Sequence, residues 1–489
     1  MLDAILILAS VPPLLLLIAG AVLAVAAVQF FQIGLRRNWR DTVSAGPLAG
    51  YVRRISVRRG EPVEVCIHAE VPARAELFRL GASLERVDWS AEVPRSIQPL
   101  SYEFWQGYAW TPTVVIDSRQ LSPGAYLLHL VATADRAVQY RLAFLVRPPS
   151  PVPVAVIAST NTWHAYNAFA GLSNYVDTAT PQPLRLILKV AGHLNLSWRV
   201  GAKRVPVVPL PLARPNAALD EDLAHIEGLD TAPLSHLLRA EWALLRLLEA
   251  NGVDYGVFSD DDLAFGETAT RAGLIAFNTH SEYWSEEMIG RLGQYLRGGG
   301  KVAFFSGNNM YRKVEYQRNR LAVVDQMNDS SVVSQLIGSA YSDLGYHTYA
   351  GYRVISPEHW VFAGTNVVPG TRFGGTDAEV PGMPDQRIGA SGWETDKLTS
   401  WSDRFELLAM GENAEGPAAM VFGDTPAGGW VFNAASVSFT SLIGVDPVID
   451  RLVLNLVADA AASDDAGSRD TAGSAAAASM AAGEDPHTR

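Results

Sequence analysis

The chain has 489 residues, a formal net charge of −12 and 48 % apolar residues. That length suggests two or three domains with cores of ordinary size, and the acidic balance argues against a general nucleic-acid binder. A single cysteine, Cys66, excludes an internal disulfide without deciding for or against export, and no Cys-x-x-Cys or His-Glu-x-x-His pattern offers a standard zinc site.

Residues 4–35 carry no charge, and Pro12 and Pro13 interrupt the run. About 24 apolar residues remain after them, enough to cross a hydrocarbon core. Arg36, Arg37 and Arg40 follow. The expectation is a single transmembrane anchor over residues 1–40, with the body on the cytoplasmic side by the placement of the arginines. A cleaved signal lacks its leading positive charge, and a start placed too early is the remaining alternative.

Alternation takes over in residues 50–147: Ile55 to Val57, Val63 to Ile67, Glu76 to Leu80, Val114 to Ile116 and Tyr126 to Leu130, with turn signals at 59–60 and 122–124. Short strands at this spacing predict an all-β sandwich without a titratable cluster. Trp105, Tyr108 and Trp110 form either a carbohydrate-stacking platform or the closed end of the sandwich. Pro148 to Pro153 is a stiff linker, and residues 151–461 then read as an α/β domain built on a parallel sheet. Buried strands are expected at Val154 to Ala158 and Val253 to Phe258, with an amphipathic helix over Ser235 to Asn251. Residues 180–234 are Pro-rich and irregular. Asp260, Asp261 and Asp262 read as a helix cap or a solvated run, or as divalent-ion ligands.

The central stretch runs from Gly273 to Tyr311. Leu274 to Phe277 and Lys301 to Phe305 are apolar runs of the kind buried on both faces of a sheet. Between them lies a helix with Ser285 as N-cap, Glu286 and Glu287 in its first turn, and Gly298 to Gly300 as its stop. This β-α-β unit delivers His280, Glu282, Asn308 and Asn309 to one carboxyl edge, where open α/β sheets place ligands. His280 and Glu282, two apart, can bind a metal or act as base and orienting carboxylate. Asparagine can donate to an oxyanion, and tyrosine phenolates such as that of Tyr166 suit a hard cation. A strand and turn are expected at His359 to Thr365, a hairpin over Ala418 to Ala434 and a helix over Pro447 to Ala461. Residues 462–489 are too poor in large apolar groups to fold. No Gly-x-Ser-x-Gly elbow or strand-borne GxGxxG is present, which argues against a serine hydrolase and a dinucleotide site.

Several blocks follow one another in order: Thr160-Asn-Thr-Trp-His-Ala-Tyr-Asn167, the Glu241-Trp helix, His280-Ser-Glu-Tyr-Trp-Ser285, Ser306-Gly-Asn-Asn-Met-Tyr311, His359-Trp-Val-Phe-Ala-Gly-Thr365, Trp393-Glu-Thr-Asp396 and Gly428-Gly-Trp-Val-Phe-Asn433. The series resembles the C-terminal domain of the large (beta) subunit of N,N-dimethylformamidase and its relatives, and Ser56-Val-Arg-Arg-Gly60 through Phe78-Arg-Leu-Gly81 resembles the β-domain that precedes it. The resemblance implies a glutamine-amidotransferase-like sheet, iron (Fe3+) held by two tyrosines and a glutamate, hydrolysis of an amide C–N bond in a small-molecule substrate, and a small partner subunit or homo-oligomer. By motif position, Glu282 and Tyr166 match metal ligands, Glu394 matches the general base, and His280 and Asn308 match polar groups beside the metal. One departure stands out. The family often has Arg-Pro-Tyr where this chain has Arg214-Pro-Asn216, so either the metal binds more weakly, another ion or none binds, or Tyr175 supplies the second phenol. The competing expectation is a non-catalytic, membrane-tethered carbohydrate- or peptide-binding protein with a degenerate metal site.

Overall fold

The computed structural model describes residues 44–101, 106–171, 173, 175, 210–223, 234–317 and 320–461, with Val22, Ala26, Gln29 and Arg37 as isolated positions before them. Apart from those four positions, the expected anchor over residues 1–40 and the expected unfolded tail over 462–489 lie outside the described residues. No helix among the described residues is long and apolar enough to cross a membrane, so the single-pass membrane location is not retained.

Two antiparallel-rich sheets form the amino-terminal part. One has three strands, in the order Leu48–Val52, Pro62–Ala69 and Val114–Asp117; the other has five, in the order Ser56–Arg58, Gln139–Arg147, Gly124–Ala132, Ala73–Leu80 and Leu84–Val93. A shared core takes Val63, Val65 and Ile67 from the first and Leu77, Leu128 and Phe144 from the second. Tyr108 and Trp110 are buried against Tyr51, with ring centroids 5.5 Å apart for the first pair and 5.4 Å for Tyr51 and Trp110. Tyr108 and Trp110 are therefore not free to stack on a sugar, and Trp105 lies outside the described residues.

The remainder is organised on a nine-stranded sheet, in the order Tyr255–Ser259, Val154–Ala158, Leu274–Thr279, Lys301–Ser306, Trp430–Asn433, Ala419–Asp424, Glu406–Gly411, Tyr352–Val354 and Arg372–Phe373. The first five run parallel and the last four are joined antiparallel. The expected parallel α/β sheet is thus corrected to a mixed one in a β-rich chain. The reason is local: parallel neighbours need a crossover, whereas the short turn between Asp424 and Trp430 can only return the chain antiparallel.

The β-α-β unit forms as its sequence dictates. Leu274–Thr279 and Lys301–Ser306 are buried along their whole length and pair with Phe277 opposite Phe304, whose rings stack at 4.5 Å. Burying each such ring contributes about 1.5–3 kcal/mol. The helix Glu286–Arg297 starts where Ser285 accepts from Met288 N, an N-cap bond. The acidic run after Tyr255–Ser259 is also structural. Ser259 and Asp262 form a capping box, and Asp262 accepts from Ser56 Oγ at 2.6 Å and pairs with Arg147, tying the five-stranded sheet to the large one. His359 to Thr365 holds a 3-10 turn at Trp360–Phe362 rather than a strand: His359 accepts from Val361 N as its cap. Residues 320–350 contain the strand Arg320–Met327 and the helix Ser330–Ile337.

Candidate functional site

Three adjacent parallel strands end in the residues singled out from sequence. Val154–Ala158 runs into the helix Thr160–Tyr166, Leu274–Thr279 into His280 and Glu282, and Lys301–Ser306 into Asn308. Glu394 arrives from elsewhere, on the turn between Ser391–Gly392 and Asp396–Lys397. Its carbonyl accepts from Val437 N at 3.1 Å, and Asp396 N donates to Ala435 O at 2.8 Å, just past the neighbouring strand Trp430–Asn433.

The backbone is strained where it presents these groups. Thr279, Asn308 and Trp393 have φ of 52°, 51° and 65°, in the left-handed region that side-chain-bearing residues seldom adopt, a β-branched threonine least of all. Such outliers cluster at functional sites, and here one lies immediately before His280, one at Asn308 and one immediately before Glu394. Gly307 is required by contact as well: a Cβ there would sit 2.4 Å from Val437 N, so the Asn308 turn lies directly on the backbone that holds Glu394.

The side chains converge. His280 Nε2 is 2.9 Å from Glu394 Oε2 and 3.3 Å from Glu282 Oε2. Asn308 Nδ2 donates to Glu394 Oε2 at 3.0 Å. All four residues are buried, and the donor atoms of His280, Glu282 and Glu394 lie within 4.8 Å of one another, a grouping that could hold a metal ion. Neither His280 Nε2 nor Asn308 Oδ1 has an aligned hydrogen-bond partner: the carboxylate oxygens near Nε2 are close but off its N–H axis. Buried polar atoms left this way point to a missing partner.

Tyr175 donates to Glu282 Oε1 and Oε2 at 3.4 and 3.3 Å, bonds the Tyr283 hydroxyl, and stacks on Tyr166 with centroids 4.2 Å apart. Arg312 Nε lies 3.4 Å from Glu282 Oε1. Asn216 is engaged elsewhere, accepting from Leu219 N at 3.3 Å at the start of the helix Ala217–Leu223 and donating to Trp163 O at 3.1 Å. The phenol that meets Glu282 is that of Tyr175, on which Tyr166 stacks. A carboxylate and phenols are hard oxygen donors of the kind that fit a hard cation.

Burial and neighbouring charge set the protonation states. Burial raises the Glu282 carboxyl to about 7, with Glu394 adding to the shift and His280 opposing it. Burial also pushes the Tyr166 phenol well above its usual range, and the Glu282 charge pushes the same way. For His280, burial acts downward, but the Glu394, Glu282 and Asp396 carboxylates outweigh it and the imidazole is raised. Beneath the site, Asn309 Nδ2 donates to Asp396 Oδ2 at 2.7 Å and to Asn433 Oδ1 at 3.2 Å. Burial raises Asp396 to about 6.

Three participants carry no signal in the sequence. His236 Nδ1 meets His280 Nδ1 at 3.2 Å, and its ring lies 4.8 Å from Trp393; Arg312 lies beside Glu282, and the Tyr283 hydroxyl bonds that of Tyr175. Only the folded chain brings His236 to a partner 44 residues away. Trp163 lies outside the cluster, donating from Nε1 to the buried Glu241 at 2.9 Å.

No protein of curated function matches the chain. Among solved structures it is similar to a cold-adapted β-galactosidase from Rahnella sp. R3 at 12 % identity and a TM-score of 0.27, over 42 % of this chain and 26 % of that one. It is also similar to a ThuA-like protein from Parabacteroides merdae ATCC 43184 at 12 % identity and a TM-score of 0.25, over 45 % and 83 %. The chain thus spans about a quarter of the length of the first of these, 26 %, and neither likeness is strong enough to bear on its chemistry. The family model described as N,N-dimethylformamidase beta subunit-like, C-terminal matches residues 74–332 and 325–448. The match covers most of the sequence, and the chain belongs to that family.

Proposed function

We propose that this protein is a metal-dependent hydrolase of a small amide or related C–N bond. The observation that carries the reading is the contact of one buried carboxylate oxygen, Glu394 Oε2, with both His280 Nε2 at 2.9 Å and Asn308 Nδ2 at 3.0 Å, with Glu282 alongside. Glu282, Tyr166 and Tyr175 would hold the ion, iron by family. A hard cation bound there would supply Lewis-acid polarisation of a carbonyl and acidify a bound water.

The rest of the work falls to the chain. Glu394 is the general base and takes the proton of the attacking water. In the resting site Asn308 donates to Glu394 Oε2 and His280 Nε2 lies 2.9 Å from the same oxygen, and together they hold the carboxylate in place. Once Glu394 has gained a proton, its hold on these donors weakens, and they become available to the oxyanion that forms on the substrate carbonyl. Glu394 can then return the proton to the departing nitrogen, as microscopic reversibility asks of a single acid–base group. The alternative, a non-catalytic carbohydrate- or peptide-binding protein with a degenerate metal site, drew its support from Asn216. With Asn216 at a helix start and Tyr175 at Glu282, that support falls away.

The test is turnover of N,N-dimethylformamide and formamide by the purified full-length chain loaded with Fe3+. Release of amine above the rate of a Glu394→Ala protein supports the reading; equal rates on both probes and on a wider panel of small amides would reject it.

A further inference from the structure

His236 has no place in the chemistry above, yet it makes the closest contact to the far side of the His280 ring. Its Nδ1 lies 3.2 Å from His280 Nδ1. Two imidazole nitrogens at that separation share one proton: one must donate and the other must offer a lone pair. Which way the bond runs is fixed by the opposite side of the His280 ring. Nε2 faces the Glu394 and Glu282 carboxylates, both acceptors, so its proton belongs there. In neutral His280 this leaves Nδ1 with the lone pair, and His236 Nδ1 must carry the hydrogen.

The geometry around His236 is built to hold that bond. Ser235 Oγ donates to Asp222 and accepts from Leu237 N at 3.1 Å, and Arg239 N donates to Asp222 Oδ2 at 2.8 Å. The residues on either side of His236 are therefore pinned. Its ring is clamped between Tyr166, at 4.4 Å and 73°, and Trp393, at 4.8 Å and 36°. On the other partner, Thr162 Oγ1 fixes the His280 carbonyl at 2.7 Å. We infer that His236 is a positioning residue: by donating from Nδ1 it sets the tautomer and ring orientation of His280, so that the His280 proton stays on Nε2, beside the oxygen of Glu394 and, during turnover, within reach of the substrate oxyanion. This deepens the hydrolase reading and rests on it for the catalytic consequence, while the tautomer itself does not. Partners of this kind beyond the reacting groups commonly affect activity by about 10–100-fold.

The experiment separates hydrogen bonding from packing. The full-length chain is labelled with 15N-histidine, metal is removed with a chelator, and the His280 nitrogens are assigned with a His280→Gln control. The expected result is a pyrrole-like Nε2 and a pyridine-like Nδ1 in the wild type. His236→Phe, which keeps a ring between Tyr166 and Trp393, should lose this preference, and His236→Asn, which keeps a donor near Nδ1, should restore it. With Fe3+ bound and N,N-dimethylformamide as probe, His236→Phe should lower kcat by about 10–100-fold with little change in KM, and His236→Asn should recover most of it. A wild-type His280 protonated at Nδ1, whether alone or together with Nε2, or a His236→Phe protein with unaltered tautomer and kcat, overturns the inference. A wild type with the expected tautomer but no turnover of any amide would instead count against the hydrolase reading and leave the positioning bond standing.

Discussion

Asn308 donates to Glu394 across 3.0 Å, and that bond links the two halves of the site. Asn308 follows one of the parallel strands, whereas Glu394 sits on a turn held against residues 435–437, beyond the strand at which the sheet changes from parallel to antiparallel. The two residues meet because Gly307 allows the turns to touch.

That close approach has a direct consequence for Gly307→Ala. The new Cβ would lie 2.4 Å from Val437 N and 2.6 Å from Ser436 Cα, both backbone atoms that cannot swing aside. We expect a loss of about 1–3 kcal/mol in stability from overpacking, with activity falling further than stability because Asn308 and Glu394 are pushed apart. A thermal melt and an activity assay at a temperature where the variant is folded check both parts.

Glu394→Gln removes the base while keeping the shape. The amide oxygen can still accept from Asn308, so the fold and metal content should stay near the wild type. Turnover should fall by about 10²–10⁴-fold, the usual worth of a positioned proton acceptor. A variant with wild-type turnover would show that Glu394 is not the base.

Tyr175 and Asn216 make opposite predictions. Tyr175→Phe deletes a hydroxyl 3.3 Å from Glu282 Oε2 and should lower metal affinity by about tenfold or more. Asn216→Ala removes the acceptor of Leu219 N at a helix start and should cost about 0.5–2 kcal/mol of stability without changing metal content. Metal titration with thermal melts of both proteins distinguishes them, and a metal defect confined to the Asn216 variant would reverse the assignment.

Asp260 gives a pH signature away from the site. Burial raises its carboxyl from 3.8 to about 8, against the pull of its bond from Asn161 N. Between those values the folded chain keeps a proton that the unfolded chain has released. Raising the pH therefore draws the equilibrium toward the unfolded state. Asp260→Asn cannot titrate, so its stability relative to the wild type should rise from about pH 4 and level off above about pH 8, by at most about 1.4 kcal/mol per pH unit. Denaturant melts of both proteins across that range measure the difference; a pH-independent difference would show that Asp260 is ionised in the folded state.

Much of the site could be read from local pattern. The strands Leu274–Thr279 and Lys301–Ser306, the N-cap at Ser285 and the polar residues after each strand are all short-range features, and they place His280, Glu282 and Asn308 on one edge. The long-range parts were less legible. Apolar runs at Ala419–Asp424 and Trp430–Asn433 with a Gly- and Pro-bearing turn between them indicate a hairpin, but not that it joins the end of the parallel sheet and makes that sheet mixed. His236 lies ahead of a helix whose periodicity reports only on its buried face, and its bond to His280 leaves no spacing to detect. The role of Asn216 was obscured for the same reason: an asparagine before Ala217–Leu223 fits a helix cap as well as a lost ligand.

The central claim is that Glu282 belongs to a metal site assembled with Tyr166 and Tyr175 and served by Glu394. Metal analysis of the purified full-length chain beside Glu282→Ala, after loading with Fe3+ and desalting, tests it most directly. Close to one ion per wild-type chain is expected, with a large loss in a variant that retains its fold. Equal metal content in the two proteins, or a wild type that takes up none, would contradict it.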